Sequence, residues 1–283
     1  MRPPRPPRNI PRRLRRGAYL LPSLFTIGNM LLGFYAIVLG LRKDPGPDFR
    51  TAALLVFIAA ILDTLDGRIA RMTGTESEFG KEYDSLADVV TFGAAPALLT
   101  YLWGLRPFDR DAWLIPLFYM VCAATRLARF NVQTKVTDSR YFVGLPVPAA
   151  AGTICSILFF APDNHSGGED LPAWIQGLVD TEALRVWMQV LVATALLLIG
   201  VLMVSTFRYY SFKKFDLRKR WSFRALIPIA AIVLVVYYLP YAFFLIFTVV
   251  YTLSGPVGWL VGRLRGGSRP DDGAPPPVPE TSP

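Results

Sequence analysis

The run Ala52-Ala53-Leu54-Leu55-Val56-Phe57-Ile58-Ala59-Ala60-Ile61-Leu62 passes without a break into Asp63-Thr64-Leu65-Asp66-Gly67-Arg68-Ile69-Ala70-Arg71. A helix needs about 20 residues to cross the roughly 30 Å hydrocarbon core of a bilayer, and the apolar part alone is too short. A span here therefore continues through the acids, from about Thr51 to Arg71. That places carboxylates at membrane depth, where ionisable side chains are expensive and mark functional sites. Eight residues on comes Gly80-Lys81-Glu82-Tyr83-Asp84-Ser85-Leu86-Ala87-Asp88. Asp63 and Asp66 are three apart and Asp84 and Asp88 four apart, so each pair projects from nearly one face of a helix and can grip something together.

The rest of the chain agrees with a membrane setting. Hydrophobic residues make up 53% of its 283 positions and charged ones 18%, with several apolar runs near 20 residues, which predicts a polytopic, all-α transmembrane bundle and excludes an ordinary soluble core. Cys122 and Cys155 both lie in apolar runs, so neither a disulfide framework nor a thiolate metal cluster is supported. The net charge of +9 sits in patches between apolar spans. This distribution points to membrane topology and anionic lipid and not to nucleic acid.

Carboxylates without histidine or thiolate partners suit hard divalent cations, Mg2+ or Mn2+, which take oxygen ligands and share them with phosphates. Four acids point to two ions, which can clamp the attacking and leaving oxygens of a displacement at phosphorus. Gly67 and Ala70 strip bulk from one helix face, and Arg71 offers a planar donor fork suited to phosphate.

The spacing D-x2-D-G-x2-A-R-x8-G-x3-D-x3-D, filled by Asp63, Asp66, Gly67, Ala70, Arg71, Gly80, Asp84 and Asp88, resembles the signature of the CDP-alcohol phosphatidyltransferases. The resemblance covers a six-span family core from Ala18 to Phe207. It implies that Asp63, Asp66 and Asp84 are metal ligands, with Asp88 both ligand and general base. It also implies that Gly67, Ala70, Arg71 and Gly80 line a pocket for CDP, and that CMP leaves as a CDP-linked lipid passes its phosphatidyl group to an alcohol. Proteins similar to it in this way are homodimers.

Two further stretches resemble the serine-using branch of that family. Pro22-Ser23-Leu24-Phe25-Thr26-Ile27-Gly28-Asn29 is similar to P-N-x-x-T-x-x-N, with Ser23 in place of the usual asparagine. Arg126-Leu127-Ala128-Arg129-Phe130-Asn131 and Phe142-Val143-Gly144-Leu145-Pro146-Val147-Pro148 resemble the pair R-L-A-R-F-N and F-x-G-L-P-x-P. They imply CDP-diacylglycerol and L-serine as substrates, with glycerol phosphate, inositol phosphate and choline as rival acceptors. Thr26 and Asn29 form a polar notch that either donates to the CDP-lipid or hydrogen-bonds between helices. Arg126, Arg129 and Asn131 are candidates for holding the acceptor carboxylate or a phosphate, against the alternative that the arginines anchor the span end at the interface. Phe142 to Pro148 is expected to shape a broken helix start. A cation-coupled transporter is the reading from another class, but its acids belong near the midplane and not beside a phosphate-suited arginine.

In chain order, residues 1–17 read as a disordered basic tail. Spans follow at about Ala18 to Leu41, Thr51 to Arg71, Asp84 to Leu105, Ala112 to Arg129, Phe142 to Pro162 and Arg185 to Phe207. The stretch Ala225 to Gly262 is too long for one crossing and is expected to fold back at Leu239-Pro240, within a region 208–262 that also holds a cytoplasmic loop. That makes about eight spans, followed by a disordered tail over 263–283. With the N-terminus cytoplasmic, the opposite-side loops hold only Arg42, Lys43, Arg50, Arg106, Arg110 and Arg185 of the 30 basic residues. This bias puts the acids and both termini on the cytoplasmic side of a prokaryotic plasma membrane, and leaves the lone His165 outside without a catalytic role.

Overall fold

The computed structural model describes residues 12–44, 46–74, 77–106, 110–133, 141–160, 182–210 and 240–264. The expected tails, the loop around His165 and the span expected between Ala225 and Leu239 lie wholly or largely outside these residues. Within them the chain forms seven helices: α1 (Arg12–Gly40), α2 (Phe49–Thr73), α3 (Glu78–Leu105), α4 (Leu114–Gln133), α5 (Val147–Phe160), α6 (Glu182–Val204) and α7 (Pro240–Leu264). Two three-residue strands, β1 (Tyr141–Val143) and β2 (Arg208–Tyr210), pair antiparallel with Phe142 opposite Tyr209, a small departure from an all-helical fold.

Among the described residues, three stretches are long and apolar enough to cross a membrane: Glu78–Leu105, Val186–Val204 and Phe243–Leu264. Shorter apolar helices run over Leu24–Gly40 and Val147–Phe159. α2 falls short of that standard because Asp63, Asp66, Arg68 and Arg71 occupy its second half, the same feature that made it informative in the sequence.

Local chemistry sets the helix ends. Asp48 caps α2 by accepting from Thr51 N at 2.9 Å, and Gly74 closes it in the left-handed conformation at φ 64°, its N–H returning to Ala70 O. Ser77 caps α3 by accepting from Gly80 N at 2.9 Å. The short link between these caps folds α3 back onto α2, which brings the two acid pairs together.

Two boundaries differ from expectation. α1 starts at Arg12, inside the stretch read as a tail, because the Arg and Leu residues beyond Pro11 are good helix formers and extend the apolar helix. The span expected from Phe142 becomes helical only at Val147, after β1 and a turn, with the broken start expected of Phe142 to Pro148. Gly144 takes φ 79° with its N–H donated to Phe207 O, and a Cβ there would lie 3.2 Å from Ser205 O, so no helix can pass through it. Pro148 then falls in the first turn of α5, where a missing N–H costs nothing. α7 begins at Pro240, and Leu239, the other half of the expected turn, lies outside the described residues.

The core lies where α1, α2, α3 and α5 meet, around Ala36, Ala52, Val56, Ala59, Phe92 and Ile154. Small residues allow close approach: a Cβ on Gly33 would lie 2.6 Å from Thr91 Cα, so α1 and α3 touch backbone to backbone there. α3 is also widened into π-type turns over Val89–Ala94 and Tyr101–Leu105. The first begins immediately after Asp88, and Tyr119 of α4 steadies it by donating its hydroxyl to Phe92 O at 3.0 Å.

Candidate active site

Asp63 and Asp66 project from the second half of α2, and Asp84 and Asp88 from the first half of α3. One carboxylate oxygen each from Asp63, Asp66 and Asp84 falls within 4.8 Å of the other two. Asp66 is buried and Asp63 and Asp84 are half-buried, so three acids of like charge converge away from bulk water. Asp84 Oδ1 is buried without a hydrogen-bond partner. An unsatisfied buried carboxylate oxygen is costly, and its position beside two further carboxylates fits the oxygen donor set of a hard divalent cation. Asp88 stands beside the trio, within electrostatic reach of Asp63, Asp84 and Asp66.

α1 supplies the hydrogen bonds that aim two of these acids. Thr26 Oγ1 donates to Asp66 Oδ2 at 3.0 Å, and Asn29 Nδ2 donates to Asp88 Oδ1 at 3.2 Å. Both donors are buried, and α1 is tied to α3 again by Thr91 Oγ1 donating to Asn29 O at 3.0 Å. The sequence left open whether Thr26 and Asn29 serve substrate or another helix. In the structure they bond between helices, to the motif's own acids, and Asn29 Oδ1 is buried with no partner.

Gly67 and Ala70 occupy the turn of α2 after Asp66, half-buried, and Gly80 sits half-buried in the first turn of α3. Arg71 lies on the last turn of α2, but its side chain is outside the described residues.

Arg126, Arg129 and Asn131 do not converge. At about 100° per helical residue, Asn131 lies roughly 140° from Arg126 and 160° from Arg129, and its Nδ2 donates to Ser85 Oγ at 2.9 Å and Glu82 Oε2 at 3.4 Å, pinning α4 to α3. Arg129 Nη1 donates to Val204 O at 3.3 Å, engaging a carbonyl at the end of α6. Arg126 alone turns inward. It is 7% exposed, its Nε has no partner, its guanidinium lies 5.6 Å from the Phe130 ring centre, and it is within electrostatic reach of Asp88.

Sequence reasoning missed Thr91, Ser85 and Tyr119, which hold Asn29, Asn131 and the turn after Asp88. Thr91 and Ser85 flank the motif acids, a signal that was available. Tyr119 sits in an apolar run and carries none.

The sequence profile of the CDP-alcohol phosphatidyltransferases matches residues 19–181. A Helicobacter pylori protein named CDP-diacylglycerol–serine O-phosphatidyltransferase is 35% identical over 242 residues, covering 86% of this chain and 92% of that one. Proteins of the same name from Mycobacterium tuberculosis and Bacillus subtilis are 39% and 36% identical over 174 and 140 residues, covering 58% and 50% of this chain and 59% and 75% of theirs. The matched segment contains all four aspartates and the helices that bring them together, and by this match the chain belongs to the CDP-alcohol phosphatidyltransferase family.

Proposed function

We propose that the protein is an integral membrane enzyme that transfers the phosphatidyl group of CDP-diacylglycerol to the hydroxyl of L-serine, releasing phosphatidylserine and CMP. The observation that carries this reading is the convergence of Asp63, Asp66 and Asp84, with a buried Asp84 oxygen that has no protein partner. The choice of serine is supported by the names of the relatives that match across most of the chain.

Asp63, Asp66 and Asp84 would hold the metal, with Asp88 as a further ligand. Two Mg2+ or Mn2+ ions held there would supply charge neutralisation for the diphosphate and Lewis-acid activation at phosphorus. The half-buried turn at Gly67 and Ala70, with Gly80 and Arg71, accommodates the CDP moiety. Asp88 is the general base: with Oδ1 held by Asn29, Oδ2 takes the proton of the serine hydroxyl as its oxygen bonds to phosphorus and the bond to CMP breaks. Arg126, a buried cation beside Asp88, faces the acceptor carboxylate, while Arg129 and Asn131 fasten α4 to α6 and α3 around it.

The same proposal includes about eight spans with both termini and the acids cytoplasmic, as the basic-residue bias requires, and a homodimeric assembly. The decisive experiment incubates purified protein in detergent with CDP-diacylglycerol, Mg2+ or Mn2+ and a panel of alcohols, and follows CMP release. Release that depends on L-serine and on metal supports the proposal. Release driven better by glycerol phosphate, inositol phosphate or choline would replace the acceptor, and no release with any of them would remove the enzyme assignment.

A further inference from the structure

Thr91 stands in the π-type turn that follows Asp88 and is fully buried. A threonine inside a helix commonly turns its hydroxyl back to the carbonyl four residues earlier, and Thr64, Thr100, Thr125 and Thr194 do so here at 2.9, 2.7, 2.8 and 2.8 Å. Thr91 departs from this habit. Its Oγ1 donates across to Asn29 O of α1 at 3.0 Å. The crossing depends on close approach: a Cβ added to Gly33, one turn after Asn29, would lie 2.5 Å from Thr91 Oγ1. Tyr119 of α4 holds the next residue of the same turn, donating to Phe92 O at 3.0 Å.

One turn of α3 thereby holds Asn29 at both ends. The Asn29 carbonyl accepts from Thr91, and the amide Nδ2 donates to Asp88 Oδ1 at 3.2 Å, with Asp88 and Thr91 three residues apart. All three residues are buried. The other amide atom, Asn29 Oδ1, has no partner. Apart from the bond to Asp88, no hydrogen bond among the described residues directs the amide, so its position follows that of the Asn29 backbone. The Thr91 bond fixes that backbone relative to Asp88.

We propose that Thr91 is a positioning residue for phosphatidyl transfer: by holding the Asn29 carbonyl it sets the Asn29 amide on Asp88, and so the angle at which Asp88 meets the acceptor hydroxyl. This rests on the reading of Asp88 as the general base. Thr91 touches no reacting atom, and its effect passes through Asn29.

The test uses the full chain in detergent with CDP-diacylglycerol, L-serine and Mn2+, read by CMP release, together with the thermal unfolding midpoint measured without metal. Thr91→Val keeps the shape and removes the hydroxyl, Thr91→Ala removes it without placing a methyl against Asn29 O, and Thr91→Ser keeps it. Thr91→Val and Thr91→Ala are each expected to lower kcat by about threefold to tenfold, with the KM for CDP-diacylglycerol changed by less than about twofold, and Thr91→Ser to stay within about twofold of wild type. An Asn29→Leu background separates positioning from packing, because that substitution keeps the backbone carbonyl and loses the amide. There Thr91→Val should lower the unfolding midpoint as much as it does alone, yet leave kcat no lower than in Asn29→Leu. A kcat loss by the same factor in both backgrounds would make Thr91 a packing residue and overturn the inference, as would wild-type kcat in both Thr91→Val and Thr91→Ala. Near wild-type kcat in Asp88→Asn would instead remove the general-base reading, and with it the ground on which this inference stands.

Discussion

Asn29 Nδ2 donates to Asp88 Oδ1 across 3.2 Å, joining the first helix to the acid that immediately precedes the π-type turn of α3. The bond fixes one of the two carboxylate oxygens of Asp88. Losing one partner of a buried hydrogen bond to a charged group costs about 1–3 kcal/mol, which as transition-state energy is roughly a tenfold to hundredfold rate loss. Asn29→Leu, similar in size but without the donor, is expected to lower kcat by that factor while the protein stays folded. Unchanged kcat in the CMP-release assay would show that Asn29 does not aim Asp88.

Gly33 and Gly28 offer a paired test of how close α1 must lie. A Cβ at Gly33 would meet Thr91 Cα at 2.6 Å, whereas one at Gly28 would meet only Leu62 Cδ1 at 3.8 Å. Gly33→Ala must push α1 and α3 apart next to the Thr91–Asn29 contact, a strain of about 1–3 kcal/mol. Thermal unfolding in detergent should show a lower midpoint and the assay a lower rate for Gly33→Ala. Gly28→Ala should match wild type in both, and equal behaviour of the two variants would contradict this packing.

Asp63, Asp66 and Asp84 are each expected to be indispensable. Asn keeps the size of Asp but not the charge that holds a divalent cation, so each Asp→Asn variant should lose turnover without full rescue by added metal. EDTA should abolish wild-type CMP release, and Mg2+ or Mn2+ should restore it. Near wild-type turnover in any one variant at ordinary metal concentration would remove that residue from the metal site.

The acid cluster was legible because its information is local: spacing puts each pair on one helix face, and the short link from Gly74 to Ser77 returns one face to the other. The broken helix start over Phe142 to Pro148 was legible for the same reason, since Gly and Pro act on their own backbone. The partners of Thr26 and Asn29 were not, because a polar notch in an apolar helix looks alike whether it faces a substrate or a carboxylate. The divergence of Arg126, Arg129 and Asn131 was present in the 100° helical step, but the motif R-L-A-R-F-N invites treating them as one group. Tyr119 reaches Phe92 O across 27 positions, and no periodicity encodes that contact.

The proposed eight-span arrangement makes a prediction that needs no enzyme assay. Both native cysteines are buried, so cysteines introduced singly at Ser166 and Ser268 report alone to a membrane-impermeant thiol reagent. In intact cells Ser166→Cys should label and Ser268→Cys should not, becoming reactive only after permeabilisation. The opposite pattern would invert the topology and place the acids on the outer face.

The proposed chemical step turns on Asp88. A serine hydroxyl is a weak nucleophile at neutral pH, so a base within hydrogen-bond reach has to accept its proton as the new bond to phosphorus forms. Asp88 is suited by position: it is buried, held through one oxygen by Asn29, and one turn past Asp84. Asp88→Asn removes proton acceptance but leaves Asp63, Asp66 and Asp84 together and the Gly67 to Arg71 turn intact. Binding of CDP-diacylglycerol, followed by titration calorimetry in the presence of Mn2+, should then stay within about threefold of wild type while kcat falls by about a hundredfold or more, the range expected for loss of general-base catalysis. A comparable fall in CDP-diacylglycerol affinity would show Asp88 to be chiefly a metal ligand, and the proton would have to leave by another group.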